Sequence, residues 1–296
     1  MDTDLGYPTL CTGVVKGGGA TVLTSDDTDA LLVAKRFHRS VRSKVRPLER
    51  ALNNYFKKYA RKKVMELRRA GTLRLFSRGK VAKGSLPIRK ALPREEEEAF
   101  VDLVLRYGDK VRDAEAKKIV KEDTLPLIWP KSFYTAKRKI LGEAIRSMDA
   151  KIDAEVRNIL SSSTAETVRP SASALERRIS AAMIGPGGVL GVGVSSRTAN
   201  TEIPSFKNFG KHVAYKKAGV KKLRWVSIID DRTRPAQEKT PRASHIAMDK
   251  RETNVGTPFD MAVSGARMYY PGDPSGPPYE VINCRCTIMP LGAPKR

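Results

Sequence analysis

The sequence has few cysteines. It contains three in 296 residues, and two of them, Cys284 and Cys286, are separated by a single arginine near the end of the chain. Three cysteines, of which Cys11 is isolated, cannot form the disulfide framework of a small secreted domain. A bond between Cys284 and Cys286 is also disfavoured, because residues two apart on a strand aim their side chains in parallel and the ring would be strained. The pair therefore points to chemistry or packing within the fold.

Long hydrophobic runs are missing as well. No apolar run approaches the roughly 20 residues that a membrane-spanning helix needs. The first residues, MDTDLGYPTL, lack the basic and apolar regions of a signal peptide, so we expect a protein that stays in a cytoplasm. No phosphate-loop or dinucleotide glycine pattern occurs, and an ATP-driven role has no support.

Acidic residues are scarce in one segment. Residues 31–90 contain twenty Lys or Arg but only Glu49 and Glu66 as acids, which is +18 of the net charge of +24. A field of this size and sign attracts phosphate polymers. The first expectation is therefore a polyanionic partner.

Apolar spacing predicts a largely helical N-terminal two-thirds. A first helix is predicted from Pro47, a residue favoured in a first turn, to a stop at Gly71. A second begins after Pro93 with an acidic first turn that suits the positive end of a helix, and that turn is expected to face the basic helix. A third runs from Phe133 to the serines at 161–163, and a shorter one covers Ala172–Ile184.

The remaining chain predicts an α+β fold. Five glycines and one proline in residues 185–196 favour a linker, beyond which a helix ends near Gly219 and a β-prone run covers 223–230. The predicted fold class is α+β, with a small α+β module after the helical part. The predicted divisions are a flexible arm at 1–25, a basic helical region at 26–184, the linker at 185–196 and the module at 197–296.

The first predicted helix has a cationic face opposite its apolar one. Such a face is most often only solvated, but its single sign also suits contact with DNA or RNA. The candidate nucleic-acid-binding residues are Lys57, Lys58, Arg61, Lys62, Arg68 and Arg69.

The cysteine pair has two readings. On an extended strand both thiols would face the same side, and the distant His245 could join them around Zn²⁺, with Asp231 or Asp249 as a fourth ligand. Buried reduced cysteines are, however, also common as small apolar fillers. In both readings, Cys284 and Cys286 have a structural role, in which they attach the end of the module to the rest of its fold.

Polar residues after residue 230 also have two readings. Asp231, Arg232 and Arg234 could form a buried network in which guanidinium groups tie loops together. His245 could act as a general base, but no pattern of an activated nucleophile accompanies it. A structural histidine that donates to Asp231 or to a backbone carbonyl is the preferred interpretation, and no catalytic residue is assigned.

Residues 196–290 resemble the bacteriophage Mu F-like family of head-morphogenesis, or minor capsid, proteins. The resemblance depends on the order of several short elements. They are Thr201-Glu202, Gly219, Trp225, Asp231-Arg232-Thr233-Arg234, His245, Pro271 and Asn283-Cys284-Arg285-Cys286. The resemblance implies a structural virion protein, present at low copy inside the head near the portal, which aids capsid assembly and genome packaging or delivery. Its implied partners are portal and capsid proteins and packaged double-stranded DNA, which the +18 segment would contact without sequence specificity.

Two other functions remain open. The chain could be a general cytoplasmic nucleic-acid-binding protein whose C-terminal module is only a scaffold. It could also be a metal-dependent hydrolase that uses His245 and Asp231 around a cysteine-held ion.

Overall fold

The computed structural model describes residues 25–78, 92–120, 127–229, 233–234 and 242–292. Nearly all of the predicted arm at 1–25, including Cys11, and the candidate residues Asp231 and Arg232 lie outside these ranges. The described helices are α1 (Ser25–Arg69), α2 (Thr72–Ser77), α3 (Arg94–Ala116), α4 (Lys131–Thr164), α5 (Ala172–Ile184), α6 (Val192–Lys217) and α7 (Pro278–Val281). The strands are β1 (Lys222–Val226), β2 (Glu252–Asn254), β3 (Phe259–Asp260), β4 (Arg267–Met268) and β5 (Thr287–Leu291). The predicted fold class, mostly helical with a small α+β part at the C-terminal end, is confirmed.

Helix α1 is longer than the sequence pattern predicted. Pro47 lies inside the helix, so the prediction that it begins the helix was wrong. An interior proline costs about 3 kcal/mol through the lost hydrogen bond and ring clash. Phe37, Val41 and Val45 continue the apolar face before it and are all buried, each stabilising the fold by about 1.5–3 kcal/mol. Their burial offsets the cost of the proline, and the helix continues through it.

The next three predicted helices are confirmed. Pro93 precedes the first residue of α3, α4 ends at Thr164 beyond the serines, and α5 covers Ala172–Ile184 as expected. The acidic start of α3 does face α1, because Lys62 donates to the Glu96 carboxylate and the Tyr55 hydroxyl donates to the Glu96 carbonyl at 2.8 Å. These contacts dock the two helices.

Helix α6 lies at the centre of the described fold and packs against both α1 and α3. Two glycines allow the close approach to α3. A Cβ on Gly108 would lie 2.5 Å from the Phe206 ring, and one on Gly210 would lie 2.6 Å from the Arg112 carbonyl oxygen. The helix begins at Val192, so the last five residues of the predicted linker at 185–196 are helical. One buried cluster contains residues from both sides of that segment, from Phe37 to Ile288.

The strands form two small antiparallel sheets. In the larger one β1 is central, with β2 on one side and β5 on the other, and Trp225 lies opposite Ile288. Strand β1 ends at Val226, so the predicted β-prone run at 223–230 is a strand only in its first part. Cys284 and Cys286 lie just before β5, which begins at Thr287, and not within a strand as predicted. The sheet therefore holds the cysteine segment directly beside β1.

Candidate metal centre

Two thiols and one imidazole meet inside the C-terminal part. The Nδ1 atom of His245 lies 3.5 Å from the Sγ of Cys284 and 3.4 Å from the Sγ of Cys286. The three candidate ligand atoms lie within 4.8 Å of one another, and all three residues are buried. Both thiols are free. The structure therefore brings together the predicted triad, although the cysteines lie outside a strand.

A tight turn before the cysteines sets their direction. Helix α7 ends at Val281, and Asn283 then adopts a left-handed backbone conformation with φ of 55°. Asparagine is one of the few residues that occupy this region readily. The backbone N–H of Asn283 donates to the hydroxyl oxygen of Thr201 on α6 at 3.1 Å. The turn is thus fixed to the central helix, and the segment from Cys284 onward enters the core.

The other side of the imidazole is held by a residue that the sequence analysis missed. His245 Nε2 lies 2.8 Å from the Oε2 atom of Glu280, which is completely buried. The Oε1 atom of Glu280 accepts from the Ser264 hydroxyl at 2.6 Å. The described partners of the two ring nitrogens are thus Glu280 and the thiols rather than the predicted backbone carbonyl, and the predicted contact with Asp231 lies outside the described residues. No local signal singles out Glu280, since an acidic side chain is ordinarily solvated.

Arg234 ties the turn to this cluster, as the network interpretation predicted. Its Nη1 donates to the Glu280 carbonyl oxygen at 2.8 Å and lies 3.4 Å from His245 Nε2, while its Nη2 donates to the Ile282 carbonyl. These carbonyls belong to the segment that leads into the cysteines. A planar guanidinium that binds two such acceptors holds the loop in one geometry.

Trp225 and Arg285 complete the surroundings. The Trp225 ring is fully buried and lies edge-on to both His245 and Phe259, with centroid distances of 5.8 and 5.4 Å. Arg285, between the two cysteines, is partly buried, and its side chain interacts with another part of the protein. The tryptophan forms an apolar wall that restricts the imidazole to its observed orientation.

Ser227 and Asp249 connect the cluster to β1. The Ser227 hydroxyl donates to the His245 carbonyl at 2.6 Å and lies 3.4 Å from Cys286 Sγ. Asp249 Oδ1 accepts from the Ser227 backbone N–H at 2.8 Å, and burial raises its pKa. Asp249, predicted as an alternative fourth ligand, does not belong to the group of three ligand atoms.

The electrostatics of the cluster favour one thiolate and one imidazolium. Burial opposes charge on Cys286, but hydrogen bonds with Cys284 and His245 hold its pKa well below the usual range. The pKa of Cys284 is raised by its hydrogen bond to Cys286 and by burial. Burial would lower the pKa of His245, but hydrogen bonds to Cys286 and Glu280 raise it to about 9. Metal binding would displace protons from this arrangement, because ligands are deprotonated thiols and neutral imidazole.

Polar side chains on one face of α6 hold the surrounding segments. Ser205 donates to the Gly272 carbonyl, and Asn208 Nδ2 donates to the carbonyls of Pro271 and Cys286 at 3.0 and 2.9 Å. Thr201, Ser205 and Asn208 recur at helical spacing on a helix that also carries the buried Phe206 and Phe209. This polar pattern is the feature of the sequence from which the contact of α6 with these segments could have been predicted. The helix therefore fixes the backbone on which Cys286 lies.

The six candidate nucleic-acid-binding residues are all exposed, but they are not equivalent. Lys62 is paired with Glu96, and Arg68 donates to Glu176, with Nε 2.7 Å from Oε1. Lys57, Lys58, Arg61 and Arg69 form no ion pair within the described part of the chain. Among the six candidates, these four therefore carry most of the positive charge that remains available to bind phosphate.

Comparisons with protein-family models, with curated proteins and with solved structures found no match for this chain. Among the described helices, none is both long and apolar enough to cross a membrane.

Proposed function

We propose that the chain is a structural protein of a bacteriophage head, present at low copy near the portal, which aids capsid assembly and genome packaging or delivery. One observation carries the proposal. Residues that lie far apart in the sequence and together give the resemblance to the Mu F-like family meet around one cluster: Thr201, Trp225, Arg234, His245 and Asn283-Cys284-Arg285-Cys286. Their convergence supports a shared structural core.

The cluster supplies three of the four ligands of a structural Zn²⁺ site. Tetrahedral zinc with Zn–S near 2.3 Å and Zn–N near 2.05 Å places sulfur and nitrogen ligands about 3.6 Å apart. The observed separations from His245 Nδ1 are 3.5 and 3.4 Å. Glu280 is hydrogen-bonded to the opposite ring nitrogen, Nε2. A carboxylate in that position commonly orients a zinc-bound histidine. Cys284, Cys286 and His245 would hold the ion, whose role is to join the end of the module to its middle.

The surroundings favour this structural role over the metal-dependent hydrolase. The cavity beside the cysteines has a volume of about 70 Å³, and His245 and both cysteines line it. That volume is far below the roughly 300–1,000 Å³ of small-molecule sites. A small-molecule substrate of ordinary size does not fit in this cavity.

Contact with packaged DNA is the second part of the proposal. All Lys and Arg side chains of residues 29–78 except Lys63 are exposed. Lys63 is instead buried against Asp149 and Asp153, at 3.0 and 2.7 Å. An exposed cationic surface of this extent binds phosphates without reading bases. Double-stranded DNA is the polyanion inside a phage head.

Isolation of tagged chain from cells that assemble phage heads tests the function. Recovery with portal or capsid shells supports the head role. Recovery with ribonucleoprotein and without shells would favour the general nucleic-acid-binding protein and overturn the proposal. Variant Trp225→Ala, which removes the wall of the cluster, should fail to recover the shells, whereas exposed Arg94→Ala should retain them.

Elemental analysis tests the zinc site separately. We expect about one zinc per purified chain, absent from Cys284→Ser and Cys286→Ser and retained in the matched control Cys11→Ser. Wild-type chain that takes up no zinc, or a Cys286→Ser chain with full zinc content, would refute the site.

A further inference from the structure

The outer face of α1 carries a regular line of cations. At 100° per residue, seven of them fall within about 80° of the helix circumference. One of the seven, Arg68, is paired with Glu176, and the other six form the α1 stripe. The α1 stripe consists of Arg36, Arg39, Arg46, Arg50, Lys57 and Arg61. Glu49, the one acid in the sequence between Arg36 and Arg61, lies off this arc.

Burial separates the α1 stripe from the core. Phe37, Leu48, Leu52 and Phe56 are buried on the opposite side of the helix, whereas every residue of the stripe is exposed. No neighbouring described element covers the stripe, and none of its six side chains forms an ion pair within the described residues. Its charge is therefore directed to solvent.

Three cations of α1 outside the stripe differ in this respect. Lys62 and Arg68 are neutralised by Glu96 and Glu176, and Lys63 is buried against two aspartates. Exposed ion pairs of this kind contribute little to stability, but each leaves less net charge for a phosphate. Among the exposed cations of α1 that form no ion pair within the described residues, the stripe is the largest set aligned on one arc.

The length of the α1 stripe fits duplex DNA. At a rise of 1.5 Å per residue it extends about 37 Å from Arg36 to Arg61. One turn of B-DNA is about 34–36 Å long. The six exposed side chains are spread over the whole of that length, so phosphate contacts would be distributed over about one turn of the duplex.

We infer that the α1 stripe is the surface along which this chain contacts the phosphate backbone of double-stranded DNA over about one helical turn. The inference rests on the proposed DNA contact and names the face that makes it. The sequence pattern included Lys62 and Arg68 among the DNA-binding residues. Lys62 lies off this arc, and Arg68 lies on it but is neutralised by Glu176.

Two variants with the same change in net charge test the inference. The stripe variant is Arg39→Gln/Arg46→Gln/Arg50→Gln/Lys57→Gln. The control is Lys216→Gln/Lys217→Gln/Lys221→Gln/Lys222→Gln, in which four exposed lysines outside α1 are neutralised. Affinity for a 30-base-pair duplex is measured by fluorescence anisotropy over a range of salt concentrations, and circular dichroism checks that each variant is folded.

We expect the affinity of the stripe variant to fall at least tenfold at low salt and that of the control to change less than threefold. The slope of log affinity against log salt should become less steep by about 0.9 for each phosphate that the variant no longer neutralises. Equal reductions in both variants would overturn the inference and leave DNA binding in place. Wild-type chain that binds no duplex would instead overturn the proposed DNA contact itself, and preference for single-stranded RNA of equal length would show that the surface fits another partner.

Discussion

His245 and Glu280 are joined by a 2.8 Å hydrogen bond between Nε2 and Oε2, deep inside the C-terminal part of the fold. Because Nε2 is hydrogen-bonded to Glu280, the other ring nitrogen, Nδ1, is directed at the two thiols. The carboxylate therefore sets both the orientation and the protonation of the histidine. This relationship sets the arrangement of the three candidate ligand atoms.

Replacing the carboxylate should weaken metal binding without removing a ligand. For Glu280→Gln we expect zinc affinity to fall about 10–100-fold, as for other partners of metal-bound histidines. Competition with a chromophoric chelator measures the affinity. Ser264→Ala, which removes only the hydroxyl that donates to Glu280, is the control and should reduce the zinc affinity less than Glu280→Gln does. Unchanged zinc affinity in Glu280→Gln would show that the carboxylate does not orient a ligand.

A buried ion pair links α4 to α6. Lys137 Nζ lies 2.7 Å from Glu202 Oε2, and both side chains are almost completely buried. Lys137→Met should lower the free energy of unfolding by about 3–5 kcal/mol, because Glu202 would remain as an unpaired buried charge. Urea unfolding measures the change. The exposed pair of Arg94 with Glu98 provides the control, and Arg94→Met should cost less than about 1 kcal/mol. A small effect of Lys137→Met would mean that Glu202 reaches solvent.

Stability should fall in mild acid through His212. Burial lowers the pKa of His212 from 6.5 to about 4, an effect that Asp273 partly opposes. Between these two values the unfolded chain binds the proton and the folded chain does not, so stability is lost as the pH falls. The slope contributed by His212 should approach about 1.4 kcal/mol per pH unit.

Urea unfolding of wild type and His212→Gln between pH 4 and pH 7 measures this contribution as a difference. We expect the variant to show a shallower decline of stability in acid. Parallel pH profiles for the two proteins would show that His212 is protonated in the folded state as readily as in the unfolded chain.

The close packing of α3 on α6 depends on the absence of a side chain at Gly210. A Cβ there would lie 2.6 Å from the backbone oxygen of Arg112, which cannot move aside as a flexible side chain can. Gly210→Ala should therefore destabilise the protein by about 1–3 kcal/mol. Gly193→Ala, in the same helix with no atom within 4 Å of the added carbon, should be neutral or stabilising by up to about 1 kcal/mol. Equal stabilities of the two variants would contradict the close packing.

The sequence predicts the helices well where apolar spacing and local stops agree. The bounds of α5 and the end of α1 before Gly71 are confirmed, and Gly71 has the positive φ of 70° that glycine readily adopts. The start of α1 could not be obtained from Pro47, because its local cost is outweighed by burial against distant residues. Local preference and tertiary packing conflict at that position.

The candidate site was predictable in part for a similar reason. Cysteine and histidine are rare in this chain, so Cys284, Cys286 and His245 stand out in the sequence itself. Glu280 is one of many acids, and only the fold brings it to the imidazole. Asp231 and Arg232 lie outside the described residues, and their predicted part in the network stays a prediction.

Cryo-electron microscopy of assembled, DNA-filled phage heads that contain the chain tests the whole account most directly. The account predicts low-copy density near the portal, with the C-terminal part against head proteins and the α1 stripe facing the packaged DNA. Heads with no density for the chain near the portal would contradict it. Density in which α1 faces the protein shell and the C-terminal part is in solvent would contradict it as well.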